Sequence, residues 1–144
     1  MKKIVCIMAV VLMVASLVYA AEKKATGITA KDLPAMKGMW SGMLNFGAIV
    51  EAASCPATLE ILNDAVPVKA KLTVQNMPAA LTSSLGLQSG TNSWEGNGVI
   101  TSHGTLMWTG PAQGFFELTK SGDKKAKVTF WFQTVKGDGS FTKK

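Results

Sequence analysis

The chain has 144 residues and a net charge of +6, from 15 lysines and no arginine against nine acids, and it holds two cysteines. Setting aside an N-terminal leader leaves about 124 residues, enough for one core and not for two. Without arginine the chain lacks the bidentate fork of most phosphate and base recognition. With Cys6 in the leader, only Cys55 stays behind, so an internal disulfide is excluded.

The N-terminus reads as a cleavable secretory signal. Lys2 and Lys3 form a positive start, Ile4 through Val14 is an unbroken apolar run, and Val18-Tyr19-Ala20 has the small-residue pattern a signal peptidase reads. Residues 1–20 are therefore expected to leave, placing the mature chain in the periplasm or outside the cell. The competing reading is an uncleaved anchor, which a spanning helix of ~20 apolar residues would allow by length. Cys6 has no lipobox-like sequence before it, which argues against a lipoprotein.

Residues 21–37 read as a polar leader ending in a short turn or helical start near Thr29–Pro34. From Gly38 the period becomes two. Trp40, Leu44 and Phe46 share one face with Gly38 and Gly42, opposite Met39, Ser41, Met43 and Asn45. Residues 57–62 and 66–75 flank Asn63-Asp64-Ala65, and the second run, with Val66, Val68, Ala70, Leu72 and Val74, alternates most cleanly. Residues 94–101 and 105–109 flank Ser102-His103-Gly104. Residues 114–120 and 125–135 flank Ser121-Gly122-Asp123, and Gly137-Asp138-Gly139 is expected to turn the chain into a last strand over 140–143.

The fold class that follows is all-β. Residues 38–144 are expected to form a single antiparallel meander of about eight strands, a closed barrel in preference to a sandwich, after the cleaved signal helix. An outer-membrane barrel fits less well, because the chain ends on Lys143-Lys144 and not on an aromatic residue. Residues 76–92 form a long connection carrying Met77, Leu81 and Leu85. It reads either as a lid or binding loop, or as a short helix that plugs the barrel for stability.

Candidate chemistry is sparse. His103 is the only histidine and has no recognisable nucleophile or orienting partner, so no catalytic residue is expected. One histidine and one mature cysteine supply no familiar metal set, and no cofactor motif is present. Charge is uneven: residues 120–144 carry +5 and residues 21–119 carry −1. Lys124, Lys125 and Lys127, with Trp131 in register with Lys127, are candidates for contact with an anionic envelope surface. The alternative is that lysines guard exposed strand edges against pairing.

Gly38-Met39-Trp40 at the start of the first strand, followed by such a meander, resembles the calycins, the lipocalin and avidin-like barrels. Gly139-Ser140-Phe141-Thr142-Lys143 is similar to the last strand of avidin-like proteins. The resemblance implies a barrel with Trp40 packed across its closed end. Four tryptophans (40, 94, 108 and 131) resemble the aromatic lining of a biotin pocket. Ser41-Gly42 stand where avidins carry a polar biotin-binding residue, and Gly139 where they place an aspartate, so biotin itself is not implied.

The leading expectation is an exported, non-enzymatic binding module for an apolar or amphipathic small molecule, with Trp40, Met77, Leu81, Leu85, Trp94 and Trp108 as ligand residues. The alternative is an envelope interaction protein with no pocket; a small hydrolase comes third. No nucleic-acid partner is expected, and the oligomeric state is open.

Overall fold

The computed structural model describes residues 27–47, 52–110 and 114–144. The signal segment lies outside them. Ile28 is buried and leads into a 3-10 turn, Ala30–Asp32, and a one-turn helix α1, Leu33–Met36. Eight strands follow: β1 Gly38–Phe46, β2 Ala53–Ile61, β3 Val68–Met77, β4 Gly90–Ile100, β5 Leu106–Thr109, β6 Gly114–Gly122, β7 Lys125–Phe132 and β8 Val135–Lys143. A second short helix, α2, Ala79–Ser83, lies between β3 and β4. Every strand pairs antiparallel with its chain neighbour, and β8 pairs back onto β1 to close the barrel. This is the meander expected from the alternation, with no sheet edge left unpaired.

Alternation decides which side chains fill the barrel. Trp40, Leu44 and Phe46 of β1 point inward with Cys55, Ala57, Leu59 and Ile61 of β2, and all are buried. Beyond them Val68, Ala70, Leu72 and Val74 continue the inner wall on β3. Cys55 is free and buried, its Sγ 3.8 Å from the Asn76 carbonyl, and burial pushes its thiol pKa up.

Several strand limits differ from the alternation reading. β2 begins at Ala53, where it faces Phe46, four residues before the expected start at Ala57, while β1 ends at Phe46. β4 begins at Gly90, four residues before Trp94. The largest difference concerns Gly137-Asp138-Gly139, which do not turn the chain but lie inside β8. The turn falls instead at Gln133-Thr134, with Gln133 in the left-handed region at φ 53°. Glycine at 137 serves packing: a Cβ there would sit 2.6 Å from the Phe46 ring.

The two ends of the barrel differ. At the base, the N-terminal turn crosses the strand ends. Ile28 donates its backbone N–H to the Gly104 carbonyl at 2.7 Å, Lys120 bridges to Asp32 at 3.3 Å, and the Lys143 ammonium donates to the Ala35 carbonyl. At the opposite end, the mouth, the 78–89 connection and the Gln133-Thr134 turn meet the barrel rim.

Candidate ligand site at the mouth of the barrel

The six residues expected to line a pocket divide between the two ends. Trp40 and Trp108 belong to the framework. Trp40 is buried behind the N-terminal turn and donates its indole N–H to the Met36 carbonyl at 2.8 Å. It therefore lies across the closed end, the place the calycin resemblance implies. Trp108 donates to the Val68 carbonyl at 2.7 Å and stacks on Phe116, centroids 5.2 Å apart. Gly98, its cross-strand neighbour, leaves room for the indole: a Cβ there would overlap it. Each indole is thus held by its one polar atom and by packing on its faces.

Trp94, Met77, Leu81 and Leu85 are buried in the other half of the molecule. Trp94 belongs to an aromatic group built from the mouth ends of three strands. Its ring lies 4.6 Å from Phe130 and 6.0 Å from Phe132, and Phe46 meets Phe130 edge-on at 6.4 Å. Unlike Trp40 and Trp108, its indole N–H meets no acceptor among the described residues. Phe46, Phe130 and Phe132 were not singled out from the sequence. Only the barrel closure that sets β1 beside β8 and β8 beside β7 brings them to Trp94.

The connection over this end is a separate unit. Within it Leu81 and Thr82 donate to the Pro78 carbonyl, and Leu85 and Leu87 donate to the Thr82 carbonyl, all between 2.9 and 3.1 Å. Among the described residues, its backbone hydrogen bonds between Pro78 and Leu87 all stay within it. What holds it down is the burial of Leu81 and Leu85, 7% and 4% exposed. Its flanks carry left-handed backbone, at Asn76 (φ 55°) beside a register shift in β3 and at Gly86 and Gly90 (φ 66° and 101°). Asn92 further ties Gln88 and the Met77 sulfur by its side-chain amide, at 2.9 and 3.5 Å.

The four surface candidates share one region without forming one cluster. Lys125, Lys127 and Trp131 lie on the outer wall of β7, and Lys124 is in the turn before it. Lys127 is 3.7 Å from Asp138. Trp131 stacks on Phe115 of β6 at 5.7 Å, and the Lys136 ammonium of β8 lies 5.0 Å from its ring. Neighbours on both flanking strands thus cover this outward indole.

Two hollows are formed by described residues, and both open to solvent away from the mouth. One of about 370 Å³ lies where Gly27–Thr29 meet the β4–β5 turn and His103; the other, about 290 Å³, lies beside Lys69 and Glu95. Among the described residues no three His, Cys, Asp or Glu side chains gather in a way that could hold a metal. No helix there is long and apolar enough to cross a membrane. The chain matches no family model and no curated protein sequence.

Proposed function

We propose that the chain is an exported, non-catalytic binding module that takes an apolar or amphipathic small molecule at the barrel mouth, with residues 77–87 as a moving cover. The observation that carries this reading is the cover itself. Among the described residues its backbone between Pro78 and Leu87 makes no hydrogen bond to the barrel, buried leucines attach it, and it lies at the end that holds the Phe46, Trp94, Phe130 and Phe132 group. An apolar guest can replace leucine contacts at little cost, whereas it cannot replace sheet hydrogen bonds. The Trp94 indole N–H supplies a donor for the polar end of an amphipathic guest. Export rests on the Lys2-Lys3 start and the apolar run from Ile4 to Val14.

Burying a leucine stabilises by roughly 1.5–3 kcal/mol, so exposing both costs about 3–6 kcal/mol. The open form is then populated below about 1%, and apparent affinity falls by the same factor. N-phenyl-1-naphthylamine, an apolar fluorescent probe, tests this in titrations of wild type and of Leu85→Ala. Wild type should show saturable one-to-one enhancement excited through tryptophan, and Leu85→Ala should associate about tenfold or more faster as its cover opens more easily. A wild-type signal that never saturates would remove the reading.

A further inference from the structure

We propose that the base of the barrel, the end opposite the mouth, docks on the headgroups of an anionic phospholipid bilayer. The barrel gathers there lysines that the sequence scatters. Lys31 and Lys37 come from the N-terminal turn, Lys69 from the start of β3, Lys124 and Lys125 from the β6–β7 turn, and Lys144 from the chain end beside β1. All six are exposed, and none pairs with a carboxylate among the described residues. In sequence the positive excess belongs to residues 120–144 alone; in the fold, lysines from the first half of the chain join them. Of the described lysines only Lys136 lies at the mouth.

Apolar side chains protrude at the same end. Leu62 and Val66, 45% and 53% exposed, occupy the β2–β3 connection, and Val99, 49% exposed, lies near the base end of β4. The β2–β3 connection and the β6–β7 turn are four strands apart around an eight-strand ring, so lysines lie on both sides of this end, with exposed Asp64 and Asp123 among them, and the apolar groups lie on the β2–β4 side. A bilayer surface takes both kinds of group, with lysines at the phosphates and leucine or valine at the acyl boundary. A soluble polyanion would use only the lysines. The mouth then faces away from the bilayer, which leaves the site proposed above accessible from water.

The strands and core described above all lie within residues 27–144, so a chain starting at Ala21 carries the whole barrel. Co-sedimentation of that chain with vesicles of phosphatidylglycerol and phosphatidylcholine, and of phosphatidylcholine alone, tests the proposal. Binding is expected to the anionic vesicles only, and it should weaken as salt shortens the Debye length. Lys124→Gln with Lys125→Gln should weaken it roughly thirtyfold, at about 1 kcal/mol per lysine near an anionic surface. Leu62→Ser with Val66→Ser should weaken vesicle binding but leave retention on dextran sulfate unchanged. All four substituted side chains are exposed, and thermal unfolding checks that each variant keeps its fold.

Equal binding to neutral vesicles, or no loss in the lysine variant, would overturn the proposal. Vesicle binding that ignores Leu62→Ser with Val66→Ser, beside equally tight binding to dextran sulfate, would overturn it in favour of a polyanionic polysaccharide. None of these readings depends on a guest at the mouth, so this proposal and the proposed function fail separately.

Discussion

Gly98 and Trp108 show how small residues shape this interior. They pair across β4 and β5, and the glycine leaves room for the indole, whose N–H reaches Val68. Gly98→Ala should therefore destabilise by about 1–3 kcal/mol, the usual cost of overpacking. Urea unfolding measures it, and a midpoint equal to wild type would show that the indole is placed differently. Combined with Trp108→Phe the loss should be less than additive, because the smaller ring no longer meets the added methyl. Alternation identified Trp40, Leu44 and the β3 face as core, since each strand there is apolar on alternate residues. It could not separate the two uses of glycine. At Gly137-Asp138-Gly139 the composition is that of a turn, yet the residues are in β8 because Phe46 from the far end of the sequence needs the space. Such a demand is set by a partner in space and leaves no local trace.

The N-terminal turn is the element on which the base depends. Asp32 accepts hydrogen bonds from the Thr29 side chain and backbone N–H, at 2.7 and 2.9 Å, and has Lys120 at 3.3 Å. The Thr29 bonds first, and then Lys120, hold its carboxyl below the usual 3.8. The unfolded chain therefore takes up this proton at a higher pH than the folded one. The stabilisation is complete above that usual value and is lost as the pH falls through the lowered folded one. In thermal unfolding followed across this acid range, wild type should lose part of its melting temperature that Asp32→Asn has already lost at neutral pH. Parallel curves for the two proteins would mean that Asp32 does not hold the turn. The sequence reading placed a turn or helical start at Thr29–Pro34, because threonine and proline there mark a helix entry. The salt link to Lys120, 88 residues away, was beyond any local pattern. The connection over 76–92 stood as either cover or plug. It forms a short helix with Leu81 and Leu85 buried, as the plug reading expected, and the absence, among the described residues, of backbone hydrogen bonds from 78–87 to the barrel is what favours a movable cover.

At the scale of the molecule, closure turns a chain of short strands into a body with two unlike ends. The strand count and the antiparallel order were legible because the strands alternate and the links between most of them are short. The division of the tryptophans was not. Trp40 and Trp108 are similar in the sequence to Trp94, and only their hydrogen bonds to Met36 and Val68 distinguish them as framework. The same closure collects lysines from both halves of the chain at the base and aromatic rings at the mouth. The most direct test of a guest site at the mouth is a two-dimensional NMR titration of the chain from Ala21 with N-phenyl-1-naphthylamine, observing indole N–H and leucine methyl signals. A guest at the mouth should give saturating shifts for the Trp94 indole and the Leu81 and Leu85 methyls, with the Trp40 and Trp108 indoles unmoved. Shifts confined to the base, or no saturating shift at Trp94, would contradict it.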